Sequence, residues 1–129
     1  SALSEDQQNK IKPIIEKQVE NQTGSFNVMF EAMSPKDQPM IITRPEFMRR
    51  MKDMSALGGN NFMMGDMPDQ YNLVINSNHP LLSKVAKLKE KKQTAILNQT
   101  LDLALLSQNL LKGEALTKFI NRSVELIEE

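Results

Sequence analysis

Cysteine is absent from the 129 residues, and so is tryptophan. The first absence excludes a disulfide scaffold, a catalytic thiol and thiolate metal ligation, and it fits a reducing cytoplasm. Aromatic residues make up only 5% of the chain, so a core drawn from its 40% apolar content must be aliphatic and methionine-based. Sixteen basic residues balance sixteen acidic ones, which argues against broad attraction to nucleic acid or an anionic membrane and leaves only local patches. No apolar run approaches the roughly 20 residues of a spanning helix. No secretory leader is visible, and the chain opens Ser1-Ala2 rather than with Met, as expected of a domain cut from a longer protein. The sole histidine, His79, lies in a turn before Pro80 and reads as structural. Phosphate-binding glycine loops, nucleophile elbows and acid or histidine clusters at ligand spacing are also missing, so no catalytic residue and no metal ligand is assigned.

Methionine is what the chain has in excess. Six of its nine methionines fall between Met48 and Met67. Met48, Met51 and Met54, with Phe47 and Leu57, share one side of a short helix whose other side carries Arg49, Arg50 and Lys52. Methionine is flexible and polarizable, which suits a surface that must fit partners of many shapes. The same stripe would serve equally as a helix packed down on a sheet. The residues alone leave both orientations open.

The length suits one domain, 1–129. Ser4 and Gln7 form a capping box, followed by Ile11, Ile14, Ile15 and Val19 at helical spacing, with Pro13 expected to kink or restart the helix near Lys12. Residues 25–33 alternate as a strand, and Met40 to Thr43 form a second, the two joined as a hairpin. The methionine helix begins at Pro45, stops at Gly58-Gly59, and leads into a loop from Asn60 to Asp69. Tyr71 to Asn76 is a third strand. Ser77 or Asn78 caps a helix from Pro80 to Lys89. A long helix from Gln93 to Lys112, a break at Gly113 and a last helix from Glu114 to Glu128 complete an α+β fold: a small three-stranded sheet, flanking helices and a C-terminal helical hairpin.

Seven leucines between Leu97 and Leu111 point in several directions around the long helix, leaving only a narrow polar stripe of Asn98, Asp102 and Asn109. Such a helix is either central to its own domain or covered by a second chain. Its place at the chain end favours the second arrangement, two hairpins making a four-helix bundle in a homodimer.

The order of these segments resembles the C-terminal domain of the heat shock protein 90 family, bacterial HtpG type, Bacteroides-like. The resemblance is carried by Phe26 to Met33, Pro45 to Met51, Tyr71 to Asn76 running into Asn78-His79-Pro80-Leu81, and Asp102 to Leu106 through Leu110, Phe119-Ile120 and Arg122. It implies a dimerisation and client-contact domain of an ATP-dependent folding chaperone in the cytoplasm. The ATPase and middle domains, with their ATP and Mg, would lie in missing parts, so this piece would hold no cofactor and no ATPase activity. It further implies a dimer seam on the last two helices, with Leu97, Leu101, Leu105, Leu106, Leu110, Leu116, Phe119, Ile120, Val124 and Ile127 as candidates. Unfolded or partly folded clients would meet Phe47, Met48, Met51, Met54 and Leu57. The Met-Glu-Glu-Val-Asp ending that recruits tetratricopeptide-repeat cochaperones in eukaryotic members does not match Leu126-Ile127-Glu128-Glu129. The alternative function is a basic nucleic-acid-binding helical domain using Arg49, Arg50, Lys52 and the lysines from Lys84 to Lys92, although without interleaved aromatics these read more simply as a solvated face. No membrane partner is expected.

Overall fold

The structure is a computed structural model and describes residues 3–22, 24–45 and 70–128. The methionine helix and the loop after it, including Phe47, Met48, Met51, Met54 and Leu57, lie outside the described residues. Among the described residues the order is α1 (Glu5–Val19), β1 (Ser25–Glu31), β2 (Met40–Thr43), β3 (Gln70–Asn76), α2 (Pro80–Val85), α3 (Glu90–Ser107) and α4 (Gly113–Glu128). This is the α+β arrangement expected, with two strands bounded almost as read.

α1 begins at the capping box: the Gln7 amide donates to Ser4 Oγ at 3.2 Å, and the Ser4 amide donates to Gln7 Oε1 at 3.0 Å. Of the two expected outcomes, a kink or a restart near Lys12, the restart does not occur: Pro13 lies inside one helix that runs from Glu5 to Val19. The reason is packing. Ile11, Ile15 and Val19 are spaced four apart and all buried, so only an uninterrupted helix keeps them in one line against the core. An interior proline costs about 3 kcal/mol, while each buried side chain returns roughly 1.5–3 kcal/mol.

The expected hairpin between β1 and β2 does not form. β3 inserts between them, giving the order β1-β3-β2, with β1 parallel and β2 antiparallel to β3. β3 is the most buried strand, with Tyr71, Leu73, Val74 and Ile75 all enclosed, which demands neighbours on both sides. Residues 32–39 therefore cross two strand spacings, roughly 9–10 Å, to reach β2. Asn76, fully buried, pins that crossing: its Nδ2 donates to the Ser34 carbonyl at 2.7 Å, and its Oδ1 accepts from the Met33 and Asn78 amides. Its own amide donates to the Pro39 carbonyl at 2.9 Å. A hairpin reading considers only sequence neighbours and could not foresee this clamp.

His79, rather than Ser77 or Asn78, caps α2. Its Nδ1 accepts from the Leu81 amide at 3.0 Å. Ser77 and Asn78 are occupied instead in tying the end of β3 to the carbonyls of Glu31 and Met33. α2 ends at Val85, short of Lys89, and α3 starts earlier than expected. Gln93, almost wholly buried, holds this junction by donating to the Ala86 carbonyl at 3.3 Å. The core gathers α1, α2, the sheet and the inner side of α3, with Ile11, Ile15, Leu73, Ile75, Leu82, Leu97, Leu101 and Leu105 among its most enclosed members.

Candidate functional site

α3 ends at Ser107, before the expected Lys112. Asn109 adopts a left-handed φ of 59°, and the Leu110 amide reaches back to the Leu105 carbonyl at 2.8 Å. This closes the helix as a glycine would, with asparagine tolerating the conformation. Leu110 and Leu111 consequently belong to the connection rather than to the helix. Gly113, at φ 61°, opens α4 instead of serving only as a break.

α4 lies against α3 through one buried aromatic, Phe119, and the half-buried Leu116. A polar cluster completes the contact. Arg122 Nη1 donates to Asp102 Oδ2 at 3.0 Å and to Gln99 Oε1 at 2.9 Å. Gln99 Nε2 donates to Ser123 Oγ at 2.7 Å, and that hydroxyl donates to the Phe119 carbonyl at 2.8 Å. Asp102, expected in a narrow polar stripe, is in fact buried beneath α4. Desolvation by this burial raises its carboxyl above the ordinary 3.8, and the hydrogen bond and charge of Arg122 pull in the opposite direction without cancelling it.

The sequence-derived seam candidates separate into two groups. Leu97, Leu101, Leu105 and Phe119 are buried within the chain itself. Leu106, Ile120, Val124 and Ile127 are exposed, and Leu110 and Leu116 are half-buried. Ile127 is 82% exposed, Ile120 51% and Val124 48%. Two further residues join the exposed set: Leu103 at 52% and Leu126. Leu103 was legible as one of seven leucines, but only the helix's actual rotation distinguishes it from its buried neighbours. Six apolar side chains thus stand exposed on the two helices of the hairpin, Leu103 and Leu106 on α3 and Ile120, Val124, Leu126 and Ile127 on α4. Pro39, Met40, Thr100, Leu103, Ala104 and Ser107 line an open hollow of about 260 Å³.

Elsewhere the described residues offer little chemistry. No group of three or more His, Asp or Glu residues among them could hold a metal ion. No helix among them is long and apolar enough to cross a membrane. Lys84, Lys87, Lys89, Lys91 and Lys92 are exposed around the α2–α3 junction.

No protein-family profile matches the chain. Curated relatives do. The chaperone protein HtpG of Bacteroides thetaiotaomicron is 30% identical over an alignment covering 79% of this chain and 24% of the relative. That of Bacteroides fragilis is 29% identical, and that of Porphyromonas gingivalis 31%, with the same coverage. The chain thus spans about a quarter of the length of the curated relatives it matches. The similarity, partial coverage and α+β fold together fit the C-terminal domain of those proteins, and the chain belongs to the heat shock protein 90 family, HtpG type.

Proposed function

We propose that this chain is the dimerisation domain of an ATP-driven HtpG-type chaperone acting in the cytoplasm, with its ATPase machinery in domains outside the chain. The observation that carries the reading is the apolar face of the hairpin, Leu103 and Leu106 on α3 with Ile120, Val124 and Ile127 on α4, all exposed in the single chain. Two such faces meeting about a two-fold axis would form a four-helix bundle. A standard interface removes roughly 800 Å² from each partner. At about 25 cal/mol per Å² of apolar area the gross gain is large enough to outlast the cost of association.

The test is light scattering coupled to size exclusion across a dilution series. The parent chain is expected to run as a dimer. Ile120→Asp with Val124→Asp is expected to run as a folded monomer with unchanged helical circular dichroism, because both positions are already solvated in the protomer, and to lose only the part of its melting temperature that dimerisation supplies. A parent that stays monomeric at every concentration, or a variant as stably dimeric as the parent, would overturn the reading.

The client contact is proposed on family grounds, at Phe47, Met48, Met51, Met54 and Leu57. Changing Met51 and Met54 to Ser should weaken capture of an unfolded protein by the longer chaperone and leave melting nearly unchanged. A large loss of stability would instead make those residues core. Nucleic-acid binding is not favoured: the relatives are named as chaperones, and the exposed lysines from Lys84 to Lys92 have no aromatic residue interleaved.

A further inference from the structure

We propose that Asp102 and Arg122, with Gln99 and Ser123, form a register lock that fixes the rotation of α4 on α3 and so decides which apolar residues α4 presents to a second copy of the chain. The inference rests on the dimer reading above.

The need for a lock follows from the pattern of α4. Leu116, Phe119, Ile120, Val124, Leu126 and Ile127 share one broad apolar side of the helix, wider than its contact with α3 can cover, and only Phe119 of them is buried. Apolar burial is non-directional. Turning α4 by one residue would place Ile120 where Phe119 sits and turn Phe119 outward, at similar apolar gain but with a different surface facing the partner. Hydrogen bonds to charged groups are directional and fail under that rotation. Two adjacent residues of α4, Arg122 and Ser123, are gripped by two residues of α3 one turn apart, Gln99 and Asp102, through contacts of 2.7–3.0 Å.

Stability alone does not account for the pair. A buried ion pair is often matched or bettered by apolar residues of similar volume, and fixing register is its best-attested use. Asp102 accords with this, since the burial of its carboxylate outweighs the attraction of Arg122, its one charged partner among the described residues.

The decisive variant is Asp102→Leu with Arg122→Met, followed by melting, a dilution series and amide hydrogen exchange. Its melting temperature is expected to equal or exceed the parent's, while its dimer dissociation constant rises at least tenfold and its α4 amides exchange at least tenfold faster than the parent's. A dissociation constant within twofold of the parent's would overturn the lock and leave the seam standing. Should the double variant fail to fold, Arg122→Lys takes its place: it keeps the charge but loses the guanidinium fork. A threefold or greater weakening of the dimer at constant melting temperature supports the lock, and an unchanged dimer overturns it. If the parent is itself monomeric, the seam reading fails, and α4 exchange decides the lock separately, with equal rates in parent and variant counting against it.

Discussion

Single residues carry most of the specificity in this small chain. Asn76 makes three side-chain hydrogen bonds in a fully buried position: two hold Met33 and Ser34 over the end of β3, and the third takes the Asn78 amide. Asn76→Ala removes the partner of the Ser34 carbonyl and of the Met33 and Asn78 amides, in part-buried hydrogen bonds, so a loss of about 1–3 kcal/mol is expected in chemical denaturation. Among the described residues, Asp102 contributes a pH dependence. Its folded carboxyl titrates above 3.8, so its contribution to stability is complete below about pH 3.8 and is lost as pH rises through the raised value. Asp102→Asn removes that dependence. The stability of the parent relative to this variant should therefore fall as pH is raised across that window, measured by urea unfolding at a series of pH values. A relative stability that rises with pH would mean that the attraction of Arg122, rather than burial, dominates the site. The exposed ion pair of Lys118 and Glu114, by contrast, is expected to contribute nothing measurable.

At the scale of elements, local signals and tertiary demands disagree in three informative places. α1 runs through Pro13 because its buried stripe requires continuity. Pro13→Ala should restore the missing helical hydrogen bond and raise stability by about 1–3 kcal/mol in thermal or urea unfolding, and a destabilised variant would show that the proline is favoured there. β3 enters between β1 and β2 because its buried residues need cover from both sides. α3 contains leucines that look alike in sequence but have separate fates: Leu105 is enclosed in the core, and Leu103 is half in water. Periodicity identified the hairpin and most of its apolar positions. It could not assign them to core or seam, because that depends on the rotation of α3 against the sheet and of α4 against α3.

For the whole molecule, the proposed assembly is held by apolar burial, which sets its response to salt. Raising sodium chloride from 0.05 to about 0.5 M should leave dimerisation unchanged or slightly stronger, since screening acts on charges and not on apolar area. Binding of a nucleic-acid duplex through the lysines would fall steeply over the same range. Titrating salt in sedimentation and in a duplex-binding assay separates the two modes, and salt-induced dissociation of the dimer would argue against an apolar seam.

By itself the sequence determined the class of fold, the capping box of α1, the extent of β2 and β3, the existence of the C-terminal hairpin and the family. Each of these is written in local periodicity, in capping chemistry or in the order of segments. Only the tertiary structure decided the strand order, the cap on α2, the end of α3 and the division of the leucines into buried and exposed. Those outcomes depend on which residues far apart in the chain meet. The clearest cases are the clamp of Asn76 on residues 33–34 and the grip of Asp102 on Arg122, contacts across 42 and 20 positions that no local pattern encodes.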